Sequence, residues 1–171
     1  AGYFLVEWSA PSRRNMPVPW LVKFRQLFRD QEEVSHDRWK RRHDKNVGDF
    51  IAEVESETES ARRLSREAEN FIDGITENME EKAAIPDILD LPRWVGGDLE
   101  KEHEKALAKQ KELWGVYETE FEDAQDLYRV QVGNEARRRQ AQGDREGAAY
   151  LTREVTAAAE KAYFLAILGR E

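Results

Sequence analysis

Residues 47–79 read "VGDFIAEVESETESARRLSREAENFIDGITENM", and their spacing decides the fold. Val47, Val54, Ala61, Ala68 and Ile75 recur every seven residues without interruption. Offset by three come Phe50, Glu57, Leu64 and Phe71, and offset by four come Ile51, Thr58, Ile72 and Met79. A sustained seven-residue apolar repeat keeps one stripe of a helix facing a partner helix, which is the signature of coiled-coil packing. Glu57 and Thr58 put polar side chains into the seam near its centre, and Gly74 weakens it near its end. Pro86 disfavours helix in the residue before it, so a helix over 31–84 is expected.

Outward from this stretch the same logic continues in both directions. Residues 20–30, "WLVKFRQLFRD", place Trp20, Leu21, Phe24, Leu27 and Phe28 on one wide apolar face, and Pro19 suits a first helical turn. A helix over 19–30 is expected, leading into the long one. Residues 85–98, "IPDILDLPRWVGGD", carry two prolines and a Gly-Gly pair among Ile88, Leu89, Leu91, Trp94 and Val95. This predicts an apolar turn that folds over the tip of a helical hairpin. Asp98 is placed to cap a helix over 99–142, whose ridge runs through Leu107, Trp114, Phe121 and Tyr128, interleaved with Gln110, Tyr117 and Ala124. After Gly143, a last helix over 144–168 ends in "AYFLAIL", apolar on every side and so expected to be buried.

Composition agrees with an all-α chain. Hydrophobic residues make up 40% and charged residues 36% of 171 residues, and mean hydropathy is −0.83. Helices that bury a stripe tolerate that much charge, and five Trp, five Tyr and seven Phe argue against disorder. The expected architecture is an elongated antiparallel helical hairpin or coiled coil with a short returning C-terminal helix. Residues 1–18 are expected to form an extended apolar arm and 19–171 a single elongated domain. No apolar run approaches the length of a membrane span. No secretory signal is visible, and the Ala at position 1 fits either initiator-Met removal or transit-peptide cleavage. Location is left open between a soluble and an assembly-bound chain, with a virion or an organelle among the settings.

Charge is unevenly spread. Residues 1–46 hold ten Lys or Arg against six Asp or Glu, whereas 49–81 hold three against eleven. A basic end and an acidic middle suit self-association or a charged protein partner, and a net charge of −8 argues against a nucleic-acid binder. The basic clusters "WKRRHDK" at 39–45 and Arg137-Arg138-Arg139 are diluted by Asp37, Asp44 and Glu135, and read as solvated helix faces.

Cysteine is absent, which removes disulfides, thiolate metal sites and Cys nucleophiles. No Gly-rich phosphate loop, nucleophile elbow or zinc-protease motif occurs, and no enzyme activity or cofactor is expected. Two Glu-x-x-His pairs, Glu33 with His36 and Glu100 with His103, match the half-motifs of carboxylate-bridged di-iron bundles. In a hairpin turning near residue 91 they would lie about 70 Å apart at the standard helical rise. A metal-binding bundle is therefore the rival reading, and a nucleic-acid-associated coiled coil a second. His43 continues the stripe of His36, and three His could make a pH-sensitive interface.

"YFLVEW", residues 3–8, cannot fold alone. It is expected to anchor the chain, on a partner's sheet edge or groove or back on its own apolar segments. The expected function is that of a structural, scaffolding subunit of a larger assembly, with other protein subunits or further copies of itself as partners. The expected docking residues are Tyr3, Phe4, Leu5, Val6 and Trp8 of the arm, Trp20, Phe24, Leu27 and Phe28, and Tyr163, Phe164 and Ile167.

Overall fold

The computed structural model of the chain describes residues 18–170, which are all-α, with no strand among them. The arm residues Tyr3, Phe4, Leu5, Val6 and Trp8 lie outside the described residues. Among the described residues five helices occur in order: α1 (Val18–Leu64), α2 (Arg66–Lys82), α3 (Gly97–Ala141), α4 (Arg145–Ala157) and α5 (Lys161–Ile167). The described residues divide into two compact units. His36–Glu118 form a middle unit; the described residues up to Ser35 and from Thr119 onward form a terminal unit.

The boundaries of α1 and α2 differ from expectation. No joint separates 19–30 from residue 31 onward, because nothing between Asp30 and Gln31 interrupts the amphipathic pattern; α1 is continuous over 47 residues. The break comes instead at Ser65, inside the heptad run. Its backbone is extended (φ −145°, ψ 122°), and its hydroxyl accepts the Ala68 N–H at 3.2 Å, satisfying one of the free donors of α2. Arg62 and Arg63 sit in the last turn of α1, and Glu67 and Glu69 in the first turn of α2. Each charge complements the end of the helix dipole it occupies.

Beyond Ser65 the chain turns back. Arg62 pairs with Asp73 at 3.0 Å, and the far end of α2 reaches His43, whose Nε2 lies 2.5 Å from the Ala83 carbonyl oxygen. α2 therefore runs back beside the second half of α1. The expected plug at 85–98 is accordingly a return path rather than a cap over a tip. Ile85 is clamped by Gln110, which accepts its N–H at 2.8 Å and donates to its carbonyl at 3.0 Å. Further along, the Pro86 carbonyl meets His103, and Trp94 packs edge-on against Phe71. The run thus leads back toward the start of α3, which enters antiparallel to α1: Phe50 faces His103, Asn46 donates to the Ala106 carbonyl, and Trp39 meets Trp114.

The core of the middle unit is drawn from all of these pieces. Val47, Phe50 and Val54 of α1, Ile72 and Met79 of α2, Ile85 of the return run, and Leu99 and Ala106 of α3 are buried together. Thr58 is buried and bonds its hydroxyl to the Val54 carbonyl one turn back, whereas Glu57 points to solvent. Leu64 is 88% exposed although it falls on the heptad, because the helix ends there.

In the terminal unit, Phe28 of α1 packs between Phe121 of α3 (5.6 Å) and Phe164 of α5 (4.7 Å), with Tyr128 edge-on to Phe164. The expected helix over 144–168 is two helices with a turn at 158–160. No breaker residue lies there. The run from Ala157 to Ala159 favours helix, but a turn lets Tyr163 and Phe164 enter the core, and that burial outweighs local propensity. At the other end of α4, Gly143 has positive φ (81°), and the Asp144 carboxylate caps Gly147 N–H at 2.9 Å while receiving Arg139 at 2.8 Å.

Candidate functional site

The four candidate ligands of the rival metal reading do not converge. Glu33 and Glu100 are exposed. His103 is spent on the Pro86 carbonyl at 2.7 Å and packs on Phe50. His36 lies among Trp39 and Tyr117. In the middle unit His103 sits beside Phe50, so its offset from His36 is roughly 20 Å along α1 at about 1.5 Å per residue. The 70 Å offset expected from a simple hairpin is thus corrected by the chain reversal at Ser65. Among the described residues no three His, Asp or Glu side chains form a metal-binding group.

His36, Trp39, His43, Trp114 and Tyr117 form an aromatic cluster instead. Trp39 and His43 are stacked at 4.9 Å, and Trp114 lies 5.2 Å from Trp39 and 5.1 Å from Tyr117. The cluster bolts α1 to α3 within the middle unit, since aromatic pairs add to the burial of their area.

An extended buried polar network lies in the terminal unit. Arg25 donates to Glu154 at 2.7 Å, Tyr128 donates to the same carboxylate oxygen at 3.1 Å, and Tyr163 donates to it as well. The two tyrosine hydroxyls are 2.9 Å apart. All four residues are buried. Burial, and secondarily the Glu154 carboxylate, push the Tyr128 hydroxyl well above the ordinary tyrosine range. A charge pair removed from water in this way is held by geometry, and every partner fixes the others. The signal for it was legible: Arg25 and Glu32 interrupt the apolar stripe of Leu21 and Phe28, and Glu154 interrupts that of α4. Glu32 is likewise buried, with Arg170 at 2.6 Å.

Of the seven expected docking residues that the structure describes, five are buried. Phe24, Phe28, Tyr163, Phe164 and Ile167 are buried in the terminal unit's own core, because the two apolar ends of the chain pack on each other there. Trp20 is half-buried, with Arg138 stacked 4.9 Å over its ring. Leu27 remains exposed. Arg139 joins Glu135 and Asp144, and Arg138 also pairs with Glu135, so two of the three consecutive arginines are engaged within the chain.

The unused apolar surface lies elsewhere. Val34 is 58% and Val130 55% exposed, and Leu127 joins them in the terminal unit. In the middle unit Trp114 and Val116 of α3, and Ile88 and Trp94 of the return run, are exposed. Between α1 and α3 of the terminal unit a groove of about 480 Å³ is lined by Val34, Ala124 and Leu127 and by Asp30, Glu120 and Asp123. No described helix is long and apolar enough to cross a membrane.

Comparison of the chain with protein-family models, with curated proteins and with solved structures gives no significant match.

Proposed function

We propose that this chain is a structural, scaffolding subunit, not an enzyme, that docks into a larger protein assembly. Helix faces of α1 and α3 that lie outside the filled cores supply the contact, together with the apolar arm. The setting is a virion or an accessory position in a multi-protein complex. The observation that carries this reading is the placement of large apolar side chains at the surface of helices whose cores are already filled. Val34 and Val130, both more than half exposed, leave most of their area outside the cores, and burial by a partner recovers part of the ~1.5–3 kcal/mol that full burial of such a side chain contributes. Val34 and Leu127 share one polar-rimmed groove, and apolar surface with a polar rim marks protein contact sites.

The test places a photo-crosslinking amino acid at Val116 or Val130 in cells that naturally contain the chain. The expected result is reproducible crosslinks to one or two defined proteins, this chain included, lost from position 130 when Leu127→Glu is introduced one turn away. A chain that sediments as a monomer at all concentrations and crosslinks to no protein from either position would overturn the proposal.

A further inference from the structure

We propose that Ser65 is a phosphorylation site, read by a serine kinase that selects arginines ahead of its target. Among all serines and threonines of the chain, Ser65 alone has arginines both three and two places before it, Arg62 and Arg63. Kinases of this kind hold the two guanidiniums on acidic side chains and so choose their serine by charge. The fold presents these residues outward. Ser65 is exposed and stands in extended backbone (φ −145°, ψ 122°) between α1 and α2, the form in which a kinase groove takes its substrate. Its hydroxyl accepts the Ala68 N–H, a bond that does not use its own hydrogen. Seating Arg62 and Arg63 in the same groove requires the last turn of α1 to open. That opening uncovers no core residue: Leu64 is already 88% exposed, the Arg63 side chain is 75% exposed, and Arg62 gives up one partly exposed pair with Asp73. In the transfer the Ser65 oxygen attacks the γ-phosphorus of ATP, the bond from that phosphorus to the β,γ-bridging oxygen breaks, ADP leaves, and the hydroxyl proton passes to the kinase's aspartate. The product puts a charge of about −1.5 to −2 at the start of α2, where the helix dipole favours an anion. Arg62, Arg63 and Arg66 flank it in the chain against Glu67 and Glu69, so the phosphate braces the joint between the two helices. The inference needs no assembly partner and stands or falls separately from the scaffolding role.

The test incubates the purified full-length chain with ATP, magnesium and the catalytic subunit of cyclic-AMP-dependent protein kinase, which has this arginine requirement, and locates the phosphate by fragment mass spectrometry. The expected result is phosphate on Ser65 and none at that position in Ser65→Asn, which keeps a capping acceptor without the hydroxyl. Transfer should be at least about tenfold slower in Arg62→Gln with Arg63→Gln, the loss of charge-assisted contacts to the kinase. Trypsin should cut the phosphorylated joint severalfold more slowly than the unmodified one. In the chain isolated from cells that naturally contain it, phosphate is expected on Ser65. Labelling of other residues at the same rate, transfer indifferent to the loss of both arginines, or a natural chain with no phosphate on Ser65 overturns the inference. A tryptic rate unchanged by the phosphate overturns the bracing of the joint.

Discussion

Glu154 collects three donors on one buried side chain. Arg25 neutralises its charge, and the hydroxyls of Tyr128 and Tyr163 complete its coordination. Removing the carboxylate takes the charge partner from a buried guanidinium and an acceptor from two buried hydroxyls at once. Glu154→Ala is expected to lower stability by about 3–5 kcal/mol, a large share of a domain's usual margin, as measured by urea unfolding. Tyr128 adds a pH signature. Its folded-state ionisation lies above that of the unfolded chain, because burial and the neighbouring carboxylate disfavour the phenolate. Its stabilisation is therefore complete below about pH 10 and lost as pH rises beyond it, when only the unfolded chain releases the proton. Urea midpoints at about pH 8 and pH 11 should fall further apart for the natural chain than for Tyr128→Phe; equal falls would refute the assignment.

The elements show where local chemistry and packing part ways. α2 ends on Ala83, a non-glycine residue with φ 46°, whose N–H and that of Ala84 close on Glu80 and Met79. This left-handed closing residue is where glycine ordinarily stands, since a side chain costs about 1 kcal/mol there. Ala83→Gly should raise the unfolding free energy by about that amount while leaving the His43 contact to the carbonyl in place; a loss of stability would show that the methyl group matters to packing. The heptad from Val47 to Met79 correctly marks the apolar face, since Val47, Phe50, Val54, Ile72 and Met79 are buried. It is silent on direction, because a seven-residue spacing states which side is apolar and not whether the helix continues. The reversal was written in other letters: two arginines, then Ser65, then Glu67 and Glu69, a helix stop and then a helix start. The turn between α4 and α5 had no such signal, since tertiary burial of Phe164 alone selects it. Likewise Val34 and Val130 are unremarkable in a list of apolar residues, and only the filled cores beside them give their exposure meaning.

At the scale of the whole chain, covalent order and core membership do not coincide. Each unit takes its residues from distant parts of the sequence: Val54 with Ile72 and Leu99 in one, Phe28 with Phe121 and Phe164 in the other. The extended residue at position 65 separates two helices that both belong to the middle core. Arg62, Arg63 and Arg66 surround it, offering a protease such as trypsin several sites at the joint between the two helices. A single cut there leaves every buried partner still facing its mate. The peptide bond after Leu64 can then be dispensable: two separately expressed pieces, 1–64 and 65–171, should find each other in solution and regain the helical signal of the parent. The gene could thus be divided at this point without dividing the protein.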